Sequence, residues 1–201
     1  MTRSRAPGRY PSNVALELIY ETHAITTDNE AGIATGWLPG TLSDRGRGTA
    51  AELGQRRRED GIAAVYVSDL ARAVETARIA FEGSPLAVIE DPRLRECNYG
   101  RRNGMPGDDH ARERALHVDD PWPDGESYRQ VVDRTRLLLD DLVEQWDGAR
   151  ILLIAHSANR WALEHLLLGR DLAELVAAGF DWQPGWEYVL PSQWRLGPTA
   201  I

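Results

Sequence analysis

Apolar and polar positions alternate along the chain in two different periods. Ile151 to Ala155 is an almost purely aliphatic run, the pattern of a strand covered on both faces, and Ser157 to Leu168 reads as a helix behind it. Ala15 to Thr22 is short and aliphatic with one Glu, so it reads as a first strand running into a polar loop, Thr22 to Gly40. Ser43 stands as N-cap to an amphipathic helix over Gly46 to Asp60, closed by Gly61. Ala63 to Val67 reads as a strand. A helix from Asp69 follows, with Leu70, Ala73, Ala77 and Phe81 on one face and Gly83, Ser84 and Pro85 as its stop. Leu86 to Ile89 is a further short strand. Ser127 to Trp146 places Val131, Val132, Thr135, Leu138, Leu139, Leu142, Val143 and Trp146 on one helical stripe, the most secure helix of the chain.

This alternation predicts an α/β fold, a three-layer α/β/α sandwich with a mostly parallel central sheet, whose ligands bind beyond the carboxyl ends of the strands. With 201 residues the chain makes one domain, 14–201, behind a disordered leader, 1–13. Arg93 to Trp122 reads as irregular, a loop with one or two helical turns, and supplies a short cap over about 98–124. The stretch from Phe180, with Trp182, Trp186, Tyr188 and Trp194, is unusually aromatic. Core packing is its simplest reading; completing the sheet, covering the site and forming a subunit contact are the alternatives.

Composition narrows the chemistry. The formal charge of -8 argues against nucleic acid or an anionic membrane as partner, and a small molecule is expected instead. All 23 basic side chains are arginine, so lysine Schiff bases and lysine phosphate loops are excluded, while bidentate grip on oxyanions is favoured. The single cysteine, Cys97, cannot form an internal disulfide or a two-cysteine metal cluster, which fits a reducing, cytoplasmic setting. No stretch approaches the roughly 20 apolar residues of a membrane span, and Met1 to Asn13 lacks the apolar segment of a signal peptide. A homodimer is one open arrangement.

Two histidines occupy equivalent places. His23 lies just past the first predicted strand and His156 just past Ile151 to Ala155, so a parallel sheet brings both to its ligand-binding edge. Arg72, one helical turn past the strand ending at Val67, can reach the same edge, and two imidazoles with a guanidinium make an oxyanion site.

The wider sequence context resembles the histidine phosphatase (phosphoglycerate mutase-like) superfamily. The resemblance is carried by Thr22-His23-Ala24 with Thr26 and Asn29, Leu42-Ser43-Asp44-Arg45-Gly46, and Ser68-Asp69-Leu70-Ala71-Arg72-Ala73 with Thr76-Ala77. It continues through Leu94-Arg95-Glu96-Cys97-Asn98-Tyr99-Gly100 to Gly104, then Gly125-Glu126-Ser127, and Ile154-Ala155-His156-Ser157 with Arg160. It implies that His23 attacks phosphorus to form a phosphohistidine, with no metal and no cofactor. Asn29, Arg72 and His156 would hold the phosphoryl oxygens, and Glu96 would be the proton donor to the leaving oxygen. A surface ion pair with Arg93 or Arg95 is the competing role for Glu96.

Three positions depart from the family pattern. Thr22 and Ala24 flank His23 where the family has Arg and Gly, and Ser157 follows His156 where Gly is usual. Thr22 and Ser157 each offer a neutral hydroxyl to the phosphoryl group, and Arg45, Arg101, Arg102 and Arg160 are candidate replacements for the missing cation. Tyr99, Arg101 and Arg102, with Trp122 and Tyr128, are candidates for the substrate pocket wall. His110, His117 and His165 read as structural or exposed. The expected activity is hydrolysis of a phosphomonoester. A mutase-type phosphotransferase is the nearer alternative, disfavoured because mutases need a longer insertion than 105–124 provides, and a non-catalytic anion-binding or regulatory protein is the further one.

Overall fold

The computed structural model describes residues 14–191 and Trp194; the expected leader lies outside them. In chain order the strands and helices are β1 (Val14–Thr22), α1 (Thr27–Glu30), β2 (Ile33–Ala34), α2 (Asp44–Arg57), β3 (Ala64–Val67), α3 (Ala71–Phe81) and β4 (Ala87–Glu90). They continue with β5 (Met105–Pro106), α4 (Gly107–Glu113), α5 (Tyr128–Gln145), β6 (Ala149–Ala155), α6 (Ser157–Leu168), α7 (Leu172–Ala178) and β7 (Trp186–Pro191).

The central sheet runs β4-β3-β6-β1-β7. β4, β3, β6 and β1 are mutually parallel and β7 pairs antiparallel with β1. Period-two alternation sends successive side chains to opposite faces. Leu16, Leu18, Tyr20, Tyr66, Ile151 and Leu153 pack with Leu138, Leu139 and Leu142 of α5 and Leu163 of α6. Ile19, Val65, Val67, Leu152 and Ile154 pack instead with Leu53 of α2 and Ala73, Ala77 and Phe81 of α3. Both faces are thus covered, as a parallel sheet requires, and the three-layer expectation holds.

Local chemistry sets the helix ends. Ser43 Oγ accepts from Gly46 N at 3.1 Å, and Ser127 caps α5 through a reciprocal pair with Gln130. Glycines cost about 1 kcal/mol each inside a helix, yet α2 keeps Gly46 and Gly54 because backbones press on them. A Cβ at Gly46 would meet Ile25 O at 1.9 Å and one at Gly54 would meet Ala80 O at 2.2 Å.

Two elements differ from the sequence reading. α7 follows directly on α6 and packs Leu172, Leu175 and Val176 under the cap, while the aromatic C-terminal stretch supplies β7 as an antiparallel edge. The region read as a loop with one or two helical turns, 93–122, contains α4 and short 3-10 turns and, beyond that reading, β5, held by β2–β5 pairing and by Tyr99, Met105, Val118 and Trp122 packing against α5, α6 and α7. Among the described residues no helix is long and apolar enough to cross a membrane.

Candidate active site

The sheet register brings the two histidines together. Thr22 is the partner of Ala155, so the residues that follow, His23 and His156, leave neighbouring strands side by side, and His23 N donates to Ala155 O at 2.9 Å. Their ring centroids lie 4.9 Å apart. Arg72, buried in the first turn of α3, reaches both. Its Nε donates to His23 Nε2 at 3.3 Å and its Nη2 contacts His156 Nδ1 at 3.3 Å. The carbonyls of Leu38 and Gly36 accept from the other guanidinium N–H groups at 3.0 and 2.8 Å. Gly36 presents its carbonyl from a left-handed backbone, φ 56°, where a Cβ would also strike Asn103 Oδ1.

A guanidinium only donates, which fixes the tautomers. His23 therefore has its lone pair on Nε2 and its proton on Nδ1, which donates to Ala24 O at 2.7 Å. His156 carries its proton on Nε2, donated to Ser68 Oγ at 2.9 Å, and Tyr20 Oη donates to the His156 carbonyl. Burial, reinforced by the Arg72 charge, pushes the His23 pKa down to about 3 and holds His156 well below the usual histidine range. Both imidazoles are neutral at pH 7. Burial also lowers Arg72, against the pull of Glu96, Tyr99 and Asp28.

Glu96 is buried rather than paired at the surface. Arg93 is taken by Asp91 and Asp141, and Arg95 by Asp69. Glu96 Oε1 instead accepts from Cys97 N at 2.7 Å, and Oε2 accepts from Ser157 Oγ at 2.9 Å. Burial raises its pKa, with the Cys97 N–H, the Ser157 hydroxyl, Arg72 and Arg134 pulling the other way.

One cleft of about 610 Å³ joins these groups: Thr22, His23, Asn29, Arg72, Glu96, Tyr99, His156 and Ser157 all line it. Asn29 Oδ1 caps α1 by accepting from Thr26 N at 3.0 Å, which leaves its Nδ2 as the donor for a ligand.

Three expectations are corrected. Arg101 and Arg102 do not reach the cleft, because Arg101 pairs with Asp124 and Arg102 with Glu113 on the outside of the cap. The Ser157 hydroxyl is engaged with Glu96 rather than left for a ligand. His110, read as structural or exposed, lines the cleft from α4, between Tyr99 and Trp122, with its pKa lowered to about 4 by burial, then by Arg114 and His117.

Of the other candidate cations, Arg160 pairs with Glu164 and lies 4.8 Å from the Trp186 ring centroid, whereas Arg45 lines the cleft, exposed. The sequence reading named Ser68 only as part of a motif, with no role, and did not reach Leu38 or Gly36. Their contributions are an ordinary hydroxyl and two carbonyls, for which no residue type gives a signal.

Known proteins are similar to this chain in sequence and fold. The chain is 31% identical over 163 residues to a probable phosphoglycerate mutase, GpmB, of Erwinia tasmaniensis, covering 77% of this chain and 75% of that one. The structure of YhfR from Bacillus stearothermophilus superposes with a TM-score of 0.78 at 25% identity, over 89% of this chain and 96% of that one. A mycobacterial glucosyl-3-phosphoglycerate phosphatase complexed with VO3 superposes with a TM-score of 0.71 at 29% identity, over 81% and 85%. The profile of the histidine phosphatase superfamily (branch 1) matches residues 22–181, and the chain belongs to that family.

Proposed function

We propose that the protein is a metal-independent phosphatase that hydrolyses a small phosphomonoester through a phosphohistidine on His23. The observation that carries this reading is the His23 Nε2 lone pair, neutral and directed at the Arg72 guanidinium, in a cleft that also holds a buried carboxyl, Glu96. A phosphoryl group entering there replaces Arg72's contact with the imidazole by a charge-assisted contact with its own oxygens.

In the first half-reaction the Nε2 lone pair forms an N–P bond as the P–O bond to the leaving alcohol breaks, and that oxygen takes the proton of Glu96. Arg72 and Asn29 Nδ2 meet the equatorial charge, while His156, whose Nε2 proton is donated to Ser68, positions the Arg72 guanidinium through Nδ1. In the second, water attacks phosphorus and gives a proton to Glu96 while the N–P bond breaks, releasing inorganic phosphate and restoring both residues. Positive charge comes from the fixed guanidinium.

Support for hydrolysis over mutase transfer comes from the cap. Arg101 and Arg102, the cap cations offered as pocket-wall candidates for a second anionic group, are paired away from the cleft. Thr22 in place of an arginine favours the second reading, an anion-binding protein on this fold.

The test is phosphate release from a panel of phosphomonoesters with EDTA present and His23→Ala as control. Release that survives EDTA and vanishes in the variant is expected. No release from any ester, by folded protein that still binds vanadate, overturns hydrolysis in favour of anion binding.

A further inference from the structure

Resting on that reading, we infer that the leaving group is bulky, flat and largely apolar, and that Trp182 is the residue that selects it. The cleft is far larger than its reactive end. About 610 Å³ is available, whereas a phosphoryl group fills roughly the space of two or three waters, at about 30 Å³ each. Beyond the phosphoryl end the lining includes the apolar side chains of Ile25, Ile33, Ala34, Leu53, Phe180 and Trp182, interspersed with Thr49 and His110.

Charge is scarce over the same surface. Arg72 belongs to the phosphoryl end, and Arg56 is held by the buried Glu21 carboxylate at 3.2 Å. Among the described lining residues Arg45 alone remains as an unpaired cation. A small polyanionic leaving group such as a glycerate would find one guanidinium, whereas a flat hydrocarbon finds several apolar side chains to cover.

Trp182 is 62% exposed, an indole that lines the cleft and faces water. The segment that carries it is pinned at both ends. Gly179 (φ 87°) accepts from Trp161 Nε1 at 3.3 Å, and Gly185 (φ 88°) lies against Arg57 and Glu21. The indole is therefore held at the opening rather than drawn into the core, and a flat ligand passing it recovers the exposed apolar area.

The experiment compares 2-(1-naphthyl)ethyl phosphate with glycerol 3-phosphate and 3-phosphoglycerate, whose leaving alcohols are similar in basicity, so the ratio of kcat/KM reports recognition and not leaving-group reactivity. A preference of about tenfold or more for the naphthyl ester is expected, and Trp182→Ala should reduce that ratio by about tenfold through KM, as loss of one covered ring face predicts. Equal or better use of the glycerol esters, or a ratio unmoved in Trp182→Ala, overturns the inference and leaves the phosphatase reading intact. If no ester is hydrolysed, the phosphatase reading falls. Calorimetric titration of His23→Ala with the same three esters then decides the leaving-group inference alone: tighter binding of the naphthyl ester upholds it and equal binding refutes it.

Discussion

Ser157, where the family has glycine, donates to the carboxylate that the mechanism uses as an acid. Its Oγ lies 2.9 Å from Glu96 Oε2, and the bond stabilises the ionised form against the burial that raises the pKa. A hydrogen bond to a charged group is worth about 1.5–3 kcal/mol, and about 1.4 kcal/mol corresponds to one pKa unit. Replacing Ser157 with Ala therefore raises the Glu96 pKa by about one to two units. The sign follows from the role. Glu96 must be protonated for phosphoryl transfer, so kcat/KM falls as pH rises through its pKa, and in Ser157→Ala the proton is retained to higher pH. The alkaline limb of the kcat/KM profile should move up by about one to two pH units, and Ser157→Thr should return it. Ionisation of the substrate contributes equally to both enzymes and cancels in the comparison. An alkaline limb that stays in place in Ser157→Ala, measured on folded enzyme, would refute the claim that this hydroxyl tunes Glu96.

Thr22→Arg restores a guanidinium at the phosphoryl end. It should raise kcat/KM on small phosphomonoesters by about tenfold to a hundredfold, the worth of one charged hydrogen bond; steady-state kinetics showing no gain in a folded variant would count against simple loss of a phosphate ligand. Arg45, unpaired and lining the cleft, should matter where Arg101 does not. Arg45→Ala lowers kcat/KM by about tenfold, while Arg101→Ala stays within about twofold of the parent in the same assay. Leu153 is fully buried against α5, so Leu153→Ala should lower unfolding free energy by about 2–5 kcal/mol in a urea titration.

Much of the scaffold was legible because both faces of the sheet are buried. The runs Ala63 to Val67 and Ile151 to Ala155 and the stripe from Val131 to Val143 carry their periods without interruption, and the structure follows them within a few residues. α7 carried a signal that went unread: Asp171 caps it, and Leu172, Leu175 and Val176 form a short apolar stripe. β7 did not announce its direction, since antiparallel pairing with β1 is a tertiary choice.

At the site, His23, His156 and Arg72 were findable because strand ends and the first turn of a helix converge at one edge of the sheet. Arg101 and Arg102 misled because a loop cation reads the same whether it faces a ligand or a neighbour. Asp124 and Glu113 decided the matter through contacts set by the folded cap. His110 was missed because it reaches the cleft only once β5 pairs with β2 and sets the start of α4.

The most direct measurement is capture of the covalent intermediate. Enzyme quenched into alkali during turnover, where a phosphorus–nitrogen bond survives, should yield a peptide phosphorylated on His23, and the label should chase into inorganic phosphate when hydrolysis is allowed to proceed. Turnover with His23 unmodified, or with the phosphoryl group on another residue, would contradict the account at its centre.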